Sequence, residues 1–233
     1  SGRAGGTSLV YGGGLDEVSF FDNDQSANVS TIFNGGLPND ISALSPLGYW
    51  RAEKVTFDGT DWTLIDQGSG GNNGTSVSMP LTARTSDVPL FDNKSFAYDG
   101  VADYVDCGST SYLQNLSEFS VSLWAKQTTA TNTKCIIGDW GFDTDGNFAI
   151  ETGLLSGSAT KLTFYIKELS GAIRSIQTQN YVFTGNVWNH IVITFNSGTP
   201  NIYVNGTAQG LNVPSLPTSL AYGNGTINIG RFR

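Results

Sequence analysis

Charge is what this chain has least of. Only 14% of its 233 residues are Asp, Glu, Lys or Arg, against roughly 25% in ordinary globular chains. The 12 Lys and Arg form no run, so no basic stripe can follow a phosphate backbone, and nucleic acid is excluded as a partner. No apolar stretch approaches the roughly 18 residues of a membrane span, which argues against membrane insertion. Two cysteines, Cys107 and Cys135, are too few for a disulfide framework. The single histidine, His190, has no Ser or Cys nucleophile near it in sequence, so no triad can be assembled by spacing.

What fills the space is Gly, Asn, Ser and Thr. The 29 glycines, the net charge of −8 and the pI of about 4.4 describe an acidic surface built mainly from uncharged polar groups. Such residues favour strands and tight turns over long helices. Period-2 alternation confirms the direction. Phe119, Val121, Leu123 and Ala125 alternate with Ser120, Ser122, Trp124 and Lys126; Leu162, Phe164 and Ile166 with Thr163, Tyr165 and Lys167; Ile191, Ile193 and Phe195 with His190, Val192 and Thr194. This is the pattern of strands with one face on a core. Asn205-Gly206 after Ile202 and Val204 predicts a tight hairpin. Asp24 or Ser26 can open a short helix over Ser26–Phe33, and Gly35 can end it. The Gly68–Gly74 and Pro80–Pro89 segments read as loops inside one domain.

In order along the chain stand Ser95–Cys107 with its Asp-Gly-Val-Ala-Asp-Tyr-Val-Asp-Cys, Phe119–Ala125, Val187–Phe195 with its Trp-Asn-His, Ile202–Gly206, and Ile227–Gly230. This ordered set resembles the laminin G-like, concanavalin A-like lectin/glucanase domains found on bacterial surface and bacteriophage virion proteins. The resemblance implies an all-β, antiparallel jelly-roll β-sandwich with one short helix, spanning 1–233 as a single domain. Its order departs from the family at one place. The Gly13–Phe21 string and the helix after it look like the family's usual C-terminal pieces, yet they precede the rest. Residues 1–36 are therefore expected to supply those pieces and 40–233 the remainder, through circular permutation or excision from tandem copies. On this reading Leu15–Phe21 pairs in the same sheet as the strand ending at Ile229.

Glucanases of this fold flank the scissile bond with paired carboxylates. The one acid-rich strand, Asp16–Asp22, carries its acids at the ends with Phe20 between, and no Glu-x-Asp-x-x-Glu pattern occurs. The expectation is therefore a binding module rather than an enzyme, at a virion or cell surface, taking a glycan or host-surface receptor or docking on a neighbouring virion protein. The alternatives are a purely structural tail-fibre or capsid decoration domain, and a polysaccharide hydrolase or lyase. Sugar rings need an aromatic face beside hydrogen-bonding groups; Trp140 with Asp139 and Asn147, Trp62, and Tyr222 offer those residue types. Two sets of oxygen ligands suit calcium: Asp143, Asp145 and Asn147, and Asp16 with Asp99 and Asp103.

Overall fold

The computed structural model describes residues 9–90, 94–109, 111–128, 133–139, 147–156, 159–167, 171–220 and 225–232. Among them, strands assemble into an eight-stranded and an eleven-stranded antiparallel sheet, with a two-stranded ribbon between the chain's first and last strands. The sheets close on one core. Phe20 stacks on Phe119 of the neighbouring strand at 5.8 Å, and both rings meet Phe148 of the opposite sheet, at 5.7 and 6.2 Å. Side chains at every second position of Glu118–Gln127 and Asn189–Asn196 point into this core, as the alternation requires. The Asn205-Gly206 hairpin forms between Thr199–Val204 and Thr207–Ala208 with positive φ at both residues, 50° and 74°, the geometry that matches strand twist.

The strand Gly12–Phe21 is buried along its whole length. On one side it pairs with Glu118–Gln127; on the other it pairs with Ser95–Asp99 over its first half and with Gly48–Trp50 over its second. It does not share a sheet with Thr226–Ile229, contrary to the sequence expectation. That strand sits in the eleven-stranded sheet between Cys135–Gly138 and Tyr104–Ser109. The physical reason is that the chain ends meet one pairing earlier. Leu9–Val10 pairs with Arg231–Phe232, Tyr11 N–H donates to Gly230 O at 2.7 Å, and the chain then passes to the other sheet.

After Phe21 the chain runs across the outer face of the eight-stranded sheet as a strap. A 3₁₀ turn, Ser26–Asn28, leads into the helix Val29–Phe33. Asp24 Oδ1 accepts Ser26 N–H at 2.9 Å, and Asn34, left-handed at φ 46°, ends the helix one residue before Gly35. Val29, Ile32 and Ile41 of the strap pack on Phe21, Tyr49 and Val192 as a second apolar cluster. The Pro80–Pro89 segment is more ordered than a loop: Leu81–Ala83 forms a 3₁₀ turn, and Arg84–Thr85 adds an edge strand beside Ser95–Asp99. Cys107 and Cys135 are buried and form no disulfide; the strand Thr226–Ile229 runs between theirs.

Candidate functional site

The outer face of the eight-stranded sheet carries a polar cluster beneath the strap. At Glu17 the pairing with Glu118–Gln127 slips by one residue: Ser19 faces Ser122, but Asp16 faces Trp124. Glu17 takes φ 50° at this bulge, a conformation uncommon for a residue with a Cβ. It turns the carboxylate outward, where Oε1 accepts Arg51 Nε–H at 2.5 Å and Oε2 accepts the Tyr49 hydroxyl. Burial works against the Arg51 charge, and Glu17 more than restores it; burial and then the Glu17 charge push the Tyr49 phenol well above its ordinary range. Glu17 also forms, with Asp16 and Glu53, a trio of carboxylates whose oxygens lie within 4.8 Å of one another. Asp16 accepts Ala52 N–H at 3.1 Å, and Arg51 Nε stands 4.0 Å from Glu53. The trio is thus built around an arginine.

Next to it, Ser122 Oγ lies 3.0 Å from His190 Nε2. The pair was hidden in the sequence because 68 positions separate the residues, but alternation puts both on one face of adjoining strands. Trp124 and Phe33 cover the imidazole at 4.9 and 5.6 Å. Burial pushes His190 down to about 3, so it is neutral at neutral pH, and its Nδ1 has no hydrogen-bond partner. Glu17, Ile32, Asn39, Ile41, Ser122, Trp124 and His190 line a cavity with room for about one water. No substrate reaches Ser122, which is 2% exposed. The geometry is that of a buried, hydrogen-bonded layer locking strap to sheet. Gln25 N–H to Ser120 Oγ at 2.8 Å and Ser120 Oγ–H to Asn23 O at 2.9 Å extend the same lock.

The structure places the described sequence candidates at four separate positions. Asp139 is buried at the end of Cys135–Gly138 and clasps the far foot of its loop. It accepts Asn147 and Phe148 N–H groups on Oδ1, each at 2.8 Å, and Asn147 Nδ2–H on Oδ2 at 2.7 Å. Burial pushes its carboxyl up to about 6 against those donors. Asn147 Oδ1 is buried without a hydrogen-bond partner. Trp140, Asp143, Asp145 and Tyr222 lie outside the described residues. Trp62 is in the core rather than on a surface: Phe57 and Phe96 pack on it at 4.7 and 5.5 Å, and Nε1–H donates to Pro80 O at 3.2 Å.

The third position is the turn after Ser95–Asp99. Asp99 Oδ1 accepts three N–H groups, from Val101, Ala102 and Asp103. Asp103 Oδ2 accepts Asp99 N–H at 3.0 Å, while its Oδ1 is buried and accepts nothing. Burial raises the Asp103 carboxyl to about 6. An oxygen so placed fits a cation ligand. Asp16 does not join it, being drawn into the trio with Glu17 and Glu53. Calcium takes six to eight oxygens, so on this donor set Asp103 and the Asp99 turn would hold it largely hydrated.

Two sheets packed face to face over an aromatic core, with turns gathered at their rims, define a sandwich of the lectin and laminin G class. The profile described as the concanavalin A-like lectin/glucanases superfamily matches residues 99–232, more than half of the chain, and the chain belongs to that superfamily. Among solved structures, domains LG4-5 of the mouse laminin alpha1 chain are similar at 9% identity with a TM-score of 0.38, over 97% of this chain and 74% of that one. No curated protein matches the chain.

Proposed function

We propose that this protein is a non-catalytic module that binds carbohydrate outside a cell, on a virion or a bacterial surface. The superfamily supports a binding module. The observation that carries the step away from catalysis is the state of the acids: the trio Asp16, Glu17 and Glu53 is braced by Arg51 and Tyr49 beneath the strap. Glycoside hydrolysis needs two carboxyl groups on opposite sides of an accessible bond, and in this trio Asp16 and Glu17 are buried, with Glu53 alone partly exposed. The surface supports the sugar reading. It is poor in charge and rich in Asn, Ser and Thr, which suits recognition of hydroxyls. A structural decoration domain with no small ligand is the competing reading. A printed glycan array separates them: saturable, selective binding supports the module, and a blank array over all glycans supports decoration.

Calcium belongs to the same proposal. A cation held only by the folded chain adds about 2.7 kcal/mol at a hundred times its dissociation constant, which for this size is worth ~2–4 °C per kcal/mol in Tm. Millimolar calcium is expected to raise Tm by several degrees and a chelator to reverse it, with magnesium weaker because it demands tight octahedral geometry. Asp103→Asn is expected to remove the part due to the Asp99 turn. Identical curves in calcium, magnesium and sodium at matched ionic strength would mean that the acids respond only to screening.

A further inference from the structure

Beyond the strap, the outer face of the eight-stranded sheet opens around Trp188. Lys126, Gly14 and Ala97 are direct partners across three neighbouring strands, so they share one face. Trp188, just before the strand Asn189–Asn196, lies over this row. A Cβ on Gly14 would come within 2.5 and 2.6 Å of its Cη2 and Cζ2 atoms; the absence of a side chain there lets the indole rest on the sheet backbone. The ring is also tied laterally. Its Nε1–H donates to Asp87 Oδ1 at 3.2 Å, and Lys126 Nζ donates to both oxygens of that carboxylate, at 2.9 and 2.7 Å. Three tryptophans elsewhere, Trp50, Trp62 and Trp124, are at most 6% exposed. Among the described residues Trp188 alone is a half-buried indole.

We propose that Trp188, with the Asp87–Lys126 pair, is a platform for a pyranose ring of a hydroxyl-rich glycan; the inference rests on the carbohydrate-binding reading and gives that reading a place. A pyranose has an apolar face bordered by hydroxyls, and an indole beside a carboxylate and an ammonium complements both. The Asp87 and Lys126 side chains are 52% and 20% exposed, so the ion pair is reachable from solvent and can accept from and donate to ring hydroxyls. Ala97, exposed beside Gly14, leaves the floor low enough for a ring to lie flat. Val187 and Leu90, 52% and 60% exposed, add apolar surface in the segments that carry Trp188 and Asp87. Because Gly14 and Asp87 already hold the indole, little side-chain freedom is lost on binding.

The test uses the full chain on a printed array that includes laminarin, agarose, alginate and mixed-linkage glucan, followed by calorimetry on the best-bound glycan. Trp188→Ala is expected to weaken that affinity at least tenfold. Asp87→Ala, at an exposed position that leaves the fold intact, is expected to weaken it about three- to tenfold by freeing the indole. Gly14→Ala should act like Trp188→Ala by lifting the ring off its floor. If the wild type binds a glycan and both Trp188→Ala and Asp87→Ala stay within twofold of it, the platform is wrong while carbohydrate binding stands. If the wild type binds no glycan, both fall. Should Trp188→Ala lose its cooperative melt, the Asp87→Ala result decides.

Discussion

A chain lacking residues 1–36 is expected to lose cooperative unfolding altogether. We propose that the whole chain folds as one domain, and the pairing of Gly12–Phe21 is the ground for it. That strand stands in the middle of the eight-stranded sheet with partners along both edges. Its Leu15, Val18 and Phe20, with Tyr11 before it, are buried in the main core, and Phe21 anchors the strap. Each such side chain is worth about 1.5–3 kcal/mol on burial, so together they amount to about 10 kcal/mol. That rivals the whole stability of a typical domain, about 5–15 kcal/mol. The deletion would also bare the edges of Glu118–Gln127 and Ser95–Asp99, leaving two long rows of unpaired backbone groups. Circular dichroism melts and size-exclusion chromatography of the truncated chain should show an unfolded or aggregated species. A truncated chain that melts cooperatively near the wild-type temperature would assign the N-terminal piece to another domain.

The second large effect is expected at Arg51. Its guanidinium pairs with Glu17, whose side chain is 5% exposed, from a position itself only 15% exposed. Replacing Arg51 by Met keeps most of the apolar stem and removes the charge. The Glu17 carboxylate then remains buried at a positive-φ bulge with Asp16 and Glu53 nearby. Breaking a buried pair from one side costs about 3–5 kcal/mol, whereas an exposed pair costs less than about 1. Urea denaturation of Arg51→Met should therefore show a loss of about 3–5 kcal/mol, and Arg51→Met/Glu17→Gln should recover part of it. A single-variant loss below about 1 kcal/mol would mean that solvent already screens the cluster.

The same residues mark what could and could not be read from the chain. Alternation over Phe119–Ala125 and Ile191–Phe195 assigned the core faces correctly, because a period of two has only one way to bury its apolar set. Asn205-Gly206 was legible for an equally local reason. Sheet membership of Leu15–Phe21 was not: it depends on the two residues Leu9–Val10 pairing with the chain's far end, a long-range choice without a local signal. The Glu17 bulge was invisible for a related cause, since it is an offset between strands about a hundred positions apart. Trp62 looked like a surface aromatic from its Asp- and Gly-rich approach, yet alternation over Trp62–Leu64 already allowed it to face inward. Ser122 and His190, and Trp188 with Asp87, meet only once strand order is known. In each case the residue types were plain and the partners were not.

The strap covers Glu17, Ser122 and His190 as a buried layer, and we propose that binding falls to the open part of the sheet near Trp188. The most direct test is to incubate the protein with the glycan it holds best on the array, then measure both the binding isotherm and the length of the recovered chains. We expect a saturable isotherm with every glycan recovered intact after prolonged incubation. Shortened or unsaturated products that vanish in Glu17→Gln, with the fold preserved, would contradict it.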